Sequence, residues 1–216
     1  MKKIIIALFA VALPMIMQAQ SEGLFARKKI KSAKEDQSAY AAKGAVPEVN
    51  GEVVFADVIA APGKTKDEMF AKLSQWASFR YEPNSTMGYY TDRGFFKNIE
   101  FSKVKSADKQ SGKIQCQGAE ELIFSIKTLA KNYTQAFYVL DLTVNDGNVD
   151  FKLHTLSFNV DQGESQFIRM TAEDWITDKE CLNKKGELRR IPGKFRIKTI
   201  DLVDELKKEI AEAINQ

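Results

Sequence analysis

Histidine and cysteine are nearly absent: the 216 residues hold one of the first and two of the second. A zinc site here would need carboxylates for most of its ligands, and a disulfide-dense scaffold is excluded. Proline and glycine are sparse, at 5 and 12 residues, which excludes collagen-like and low-complexity chains. No Gly-rich phosphate loop, nucleophile elbow or His-Glu-x-x-His occurs. Charge of one sign is lacking too, since 32 basic residues face 29 acidic ones. That balance has none of the broad cationic excess that nucleic-acid binding needs. What is present is an ordinary globular composition, 44% hydrophobic and 28% charged, over a length that fits one domain with flanking segments.

The N-terminus carries the most specific pattern. Lys2 and Lys3 precede fourteen residues without charge, Ile4 to Met17, and Gln18-Ala19-Gln20 follows. This order predicts a secretory signal over residues 1–19, cut between Ala19 and Gln20. The apolar run is shorter than the ~20 residues of a spanning helix. No other stretch is apolar enough to cross a bilayer, and no cysteine near the cut offers a lipid anchor. The expectation is an exported protein of the periplasm or cell surface, neither lipid-anchored nor membrane-spanning. Without the two signal lysines the net charge is +1, unevenly spread: Arg27 to Lys34 holds +5, Lys184 to Lys198 holds +6, and the remainder −10.

Residues 20–50 show no hydrophobic periodicity and read as a flexible tether. A single folded domain is expected over residues 51–216. Glu52 to Ala60 is rich in β-formers and ends at Pro62-Gly63, a strand and turn. Thr65-Lys66-Asp67-Glu68 has capping-box form, and Met69, Phe70, Leu73, Trp76 and Ala77 mark one face of a helix to Arg80. Strands follow at Asn98–Lys105, Gly112–Phe124, Tyr133–Val144 and Val149–Val160, with Asp146-Gly147 the strongest hairpin signal. After an irregular stretch, Ile200, Val203, Leu206, Ile210 and Ile214 mark a C-terminal amphipathic helix. Antiparallel strands need helices over one face. The fold class is therefore α+β, with an antiparallel sheet of about five strands in β-α-β-β-β-β-α order, packed by helices.

Three segments carry a resemblance. Gly51-Glu52-Val53-Val54-Phe55 with Pro62 to Glu68, Thr171 to Asp178 with Leu182 to Gly186, and Gly193 to Arg196 with Lys198 to Asp201 resemble a family of exported Gram-negative bacterial domains. The family is a domain of unknown function with a TATA-binding-protein-like (TBP-like) fold. The resemblance implies a curved antiparallel sheet backed by helices, with a family core over about residues 51–160 and a C-terminal extension and helix over 161–216. It implies no activity, cofactor or catalytic residue.

Candidate chemistry is thin. His154 sits in an expected strand, where a hydrogen bond to a neighbour or to solvent explains it better than general-base work. Cys116 and Cys181 are either a disulfide of an oxidising compartment or two separately buried thiols. The paired acids Glu120-Glu121 and Glu173-Asp174 read as solvated charge, because adjacent strand residues point to opposite faces. No catalytic residue, metal ligand or cofactor is assigned. Tyr89, Tyr90, Phe95 and Phe96 form an aromatic cluster that either covers the core edge or binds a ligand. Lys184, Lys185, Arg189, Arg190, Lys194, Arg196 and Lys198 are a candidate anion-binding set, paired with the acidic body or aimed at an anionic envelope component. The function expected is a non-catalytic module binding a ligand or another envelope protein, not a nucleic acid. The competing class is a carboxylate-based hydrolase.

Overall fold

Helical spacing and period-two alternation organise most of the chain. A computed structural model describes residues 37–81, 89–91, 94–96, 101–127, 130–161 and 167–215. The cleavage residues Ala19 and Gln20 and the basic stretch Arg27–Lys34 lie outside them. In chain order come α1 (Ser38–Ala41), β1 (Glu48–Val49), β2 (Glu52–Val53), β3 (Phe55–Ala60) and α2 (Lys66–Arg80). Then follow β4 (Tyr89–Thr91), β5 (Gly94–Phe96), β6 (Lys103–Asp108), β7 (Lys113–Lys127), β8 (Ala130–Asn145) and β9 (Asn148–Asp161). β10 (Phe167–Thr171), α3 (Asp178–Cys181) and α4 (Pro192–Asn215) complete it.

The main sheet runs β10-β9-β8-β7-β6, with β3 also paired to β9, all antiparallel. It therefore has six strands where the sequence suggests about five. The unexpected one is β10, within the stretch read as irregular; it is ordered by the far end of β9, which pairs Thr171 with Ser157 through to Phe167 with Asp161. The Asp146-Gly147 turn is present, with Gly147 at φ 78° closing the Asn145–Asn148 pair. Asp146 also accepts from Lys66 N at 2.8 Å, and Thr65 Oγ1 accepts from Glu68 N at 3.3 Å, so the orphan donors of α2 are capped from two directions. The Glu68 carboxylate instead reaches Lys64 and Lys72, at 3.2 and 3.3 Å.

One face of the sheet is the core. Ile114 and Cys116 of β7 stand opposite Leu142 and Leu140 of β8, which stand opposite Phe151 and Leu153 of β9; Leu122 of β7 and the Ala136–Phe158 pair extend the same core. Met69, Leu73 and Ala77 of α2 and Phe195, Leu202, Leu206, Ile210 and Ile214 of α4 cover that face. Each fully buried aliphatic side chain contributes about 1.5–3 kcal/mol. At Thr155, φ is 54°, and the register slips between Phe137 and Val139, a bulge that bends the β8–β9 pair.

The tether boundary requires correction. Val46 is buried in the core, β1 pairs with β2, and Gly44 N donates to Asp178 at 2.8 Å. Arg196 donates to the carbonyls of Tyr40 and Ala42 at 2.6 and 2.8 Å, and Tyr40 Oη donates to Asp201 at 2.8 Å. The compact unit thus begins at Ser38, not at residue 51. The segment has no periodicity because partners elsewhere in the chain, not an apolar face of its own, hold it.

Candidate functional site

Inward spacing on three elements brings charge into the core. Arg80 continues the apolar row of α2, Glu120 shares the face of β7 with Ile114 and Cys116, and Glu209 lies on α4. Arg80 is 2% exposed and Glu120 fully buried. Arg80 Nη2 donates to Glu120 Oε2 at 2.9 Å, and its Nε donates to Glu209 Oε2 at 3.0 Å. Trp76 Nε1 donates to the same Glu209 oxygen at 3.2 Å. Tyr138 Oη donates to Glu120, and the Tyr81 hydroxyl, 3.1 Å from that of Tyr138, completes the chain. Gly118 makes room for Tyr138: a Cβ there would stand 2.1 Å from Tyr138 Cζ. The Glu120 reading as solvated charge is therefore wrong; alternation aims it inward, and Arg80 makes its burial tolerable.

Electrostatics in this cluster keep Arg80 charged and the two tyrosines neutral. Burial works against the Arg80 charge, but Glu120, Tyr138 and Glu209 outweigh it and hold its pKa above the ordinary value. Burial pushes the Tyr81 and Tyr138 hydroxyls well above their usual range. Burial raises Glu209 as well, with Arg80 pulling the other way. Chemically this is a structural lock: each acid is engaged by Arg80 and a further donor.

The other candidates are placed as follows. His154 Nε2 lies 2.9 Å from Asp141 Oδ2 and its Nδ1 2.8 Å from Thr155 Oγ1, the partnered sheet histidine expected. Cys116 and Cys181 are free, buried thiols on β7 and α3, so the disulfide alternative is not what the fold adopts. Burial pushes them up to about 12 and about 11. Glu173 accepts from Val53 N at 2.7 Å, a contact across 120 residues of chain, and Asp174 from Thr171 Oγ1 at 3.0 Å, so this pair serves the fold. Tyr89 pairs with Phe96 and Tyr90 with Phe95 in the β4–β5 ladder; their side chains lie outside the described residues. No group of three or more metal-ligating side chains is found among the described residues. No helix among them is long and apolar enough to cross a membrane. A cavity of about 200 Å³ is lined by Pro47, Phe55, Phe151, Ile200 and Val203, with Lys207 between Asp57 and Asp204 at 3.1 and 3.7 Å. It falls below the ~300 Å³ at which small-molecule pockets begin.

The basic segment divides in two. Arg196 is fully buried, bonded to Tyr40, Ala42 and Ile176 carbonyls and paired with Asp178 at 2.8 Å. Lys198 lies 3.3 Å from Asp201. These two leave the candidate anion-binding set, because α4 begins at Pro192 and its turns carry Arg196 into the core. The other five, Lys184, Lys185, Arg189, Arg190 and Lys194, are exposed and, among the described residues, form no ion pair.

Backbone hydrogen bonds shape the segment that holds these cations. A Leu182–Leu188 bridge closes a hairpin, and Arg189 N donates to Cys181 O at 2.8 Å. Asn183 Oδ1 accepts from the backbone of Lys185 and Glu187 at 2.8 and 3.0 Å, while Gly186 turns the chain at φ 77°. Sequence reading finds the cations but not this clamp, whose visible signal is Asn183 with Gly186 between two leucines.

Comparison with known proteins places the fold. No curated protein matches the sequence. A family model, the domain of unknown function DUF4468 with TBP-like fold, matches residues 55–159, from β3 through most of β9. A crystal structure of a DUF4468 family protein from Bacteroides ovatus is similar with a TM-score of 0.69 at 30% identity, over 85% of this chain and 97% of that one. A TBP-like protein from Parabacteroides distasonis gives a TM-score of 0.62 at 20% identity, over 79% of this chain and 97% of its own, and shares the fold. With that identity spanning nearly all of the Bacteroides ovatus structure, and a family match across the strands that form the core, the chain belongs to the DUF4468 family of TBP-like domains.

Proposed function

We propose that this chain is a non-catalytic binding module of the bacterial envelope, exported by its N-terminal signal, that docks on an anionic component through residues 184–194. The observation that carries the reading is the set of five clamped, exposed cations without acidic partners among the described residues. Stability does not account for them. Arg189, Arg190 and Lys194 flank the first turn of α4, where the helix dipole disfavours positive charge by about 0.3–1 kcal/mol per residue. Carboxylates do answer Arg80, Arg196, Lys198 and Lys207, the cations that the fold buries or half-buries. The competing hydrolase would need its converging acids, Glu120 and Glu209, at a reachable surface, yet Glu120 is closed off behind Arg80 and Tyr138.

Chromatography on immobilised heparin tests the reading. The wild type is expected to bind and elute with salt. A variant with Arg189→Gln, Arg190→Gln and Lys194→Gln elutes much earlier and keeps its melting temperature within about 2 °C. Arg27–Lys34 contributes equally to both proteins, so the difference reports the loop. Equal retention of variant and wild type overturns the assignment.

A further inference from the structure

Ile191 is 59% exposed, within the basic segment that also exposes Arg189, Arg190 and Lys194. It stands between Arg190 and Pro192, where the hairpin enters α4. Its position is fixed by the backbone: Ile191 O accepts from Lys194 N at 3.1 Å, and Gly193 N donates to Arg189 O at 2.9 Å. A Cβ on Gly193 would lie 3.0 Å from Leu188 Cβ, so the first turn of α4 packs directly on the hairpin. One aliphatic side chain is thus held out among Arg189, Arg190 and Lys194.

That combination discriminates between anionic partners. An acidic glycan or other soluble polyanion uses the cations and gains little from an isolated isoleucine. A bilayer surface uses both, because headgroup phosphates engage the cations and the acyl boundary beneath takes the apolar side chain. Guanidinium groups also match phosphate oxygens in bidentate fashion. We infer that the anionic partner is a phospholipid bilayer surface, with Ile191 inserted among the headgroups and Arg189, Arg190 and Lys194 on the phosphates. The inference rests on the anion-docking reading above. Contact of this kind is peripheral, reversible and weakened by salt.

Co-sedimentation of the full chain with vesicles of phosphatidylglycerol in phosphatidylcholine tests it. All variants share the Ile4–Met17 run and Arg27–Lys34, so only ratios between wild type and variant are read. Ile191→Ser is expected to weaken vesicle binding roughly tenfold while leaving elution from heparin unchanged. Ile191→Trp restores or strengthens it. The triple glutamine variant loses roughly a hundredfold, and on pure phosphatidylcholine that loss disappears. If Ile191→Ser binds vesicles as wild type does, or if the triple variant is impaired on heparin alone, lipid docking is overturned and a soluble polyanion is the partner. If the triple variant matches wild type on both heparin and vesicles, the anion-docking reading itself falls.

Discussion

Arg80 answers two carboxylates at once, so replacing it measures what the buried cluster contributes. Arg80→Met keeps the unbranched stem and the helix propensity of the side chain but leaves Glu120 and Glu209 in one largely water-excluded site. Removing one member of a buried pair costs about 3–5 kcal/mol, and two remaining like charges place this variant toward the upper end. Glu120→Gln is milder, because Arg80 keeps Glu209 and the new amide oxygen still accepts from Tyr138; about 1–3 kcal/mol is expected. Glu209→Gln is mildest. Burial raises that carboxyl above its ordinary 4.5, so the folded state holds the proton more tightly than the unfolded chain. The associated stability is complete below pH 4.5 and is lost as pH rises through the folded value. At neutral pH the ionised form is a burden, and glutamine changes stability by no more than about 0.5 kcal/mol. Urea unfolding followed by circular dichroism, at neutral pH and near 4.5, reads all three. Arg80→Met should be worst, and its deficit should shrink in acid, where Glu209, already raised by burial, takes up a proton. The reasoning fails if Arg80→Met costs no more than Glu120→Gln, or if its deficit is the same at both pH values. Should it not fold, Arg80→Lys retains the charge without the fork and should fall between wild type and Glu120→Gln.

Gly118→Ala is expected to cost at least about 2 kcal/mol in thermal melts, because its Cβ would meet the Tyr138 ring at 2.1 Å; a loss under about 0.5 kcal/mol would contradict the packing. A chain beginning at Gly51 should be less stable than one beginning at Ser38 by on the order of 3 kcal/mol, since Val46 and two of the carbonyls that satisfy Arg196 are removed. Equal melting temperatures would return residues 38–50 to the tether. Thiol titration should find Cys116 and Cys181 unreactive in the native protein and both reactive once it is unfolded without reductant. Silence of both after unfolding would mean a bridge.

Much of the architecture is written in periodicity. The three long strands, the Asp146-Gly147 hairpin, α2 and the part of α4 from Ile200 onward follow from spacing, whereas the start of α4 at Pro192 falls in the stretch read as irregular; spacing also points the buried charges inward. Arg80 extends the row Met69, Leu73 and Trp76; Glu120 has the parity of Ile114, Cys116 and Leu122; Arg196 stands three residues before Thr199 and seven before Val203. Residue type argues the opposite way, since charges are seldom buried unless paired. Pairing is the part that spacing cannot supply: Arg80 is 40 residues from Glu120 and 129 from Glu209. The same holds for β10 and for residues 38–50, short segments with weak patterns of their own. β10 is ordered by the overhang of β9, and residues 38–50 by Arg196, Asp178 and Asp201.

The two kinds of charge in this domain obey different constraints, and that contrast locates the functional surface. Inside, desolvation penalises any unanswered charge by several kcal/mol, so Arg80 and Arg196 are each surrounded by acceptors drawn from distant parts of the chain. At the surface the penalty is small, and an unpaired cation says little by itself. Five of them say more when Asn183, Gly186, Gly193 and the Leu182–Leu188 bridge hold their backbone in one arrangement. For a docking surface such an arrangement supplies preorganisation, since the entropy of ordering the loop is already lost before the partner arrives. Ile191 sharpens the point. Its exposure forgoes about 1–2 kcal/mol of burial, which a surface with an apolar layer beneath its anions returns.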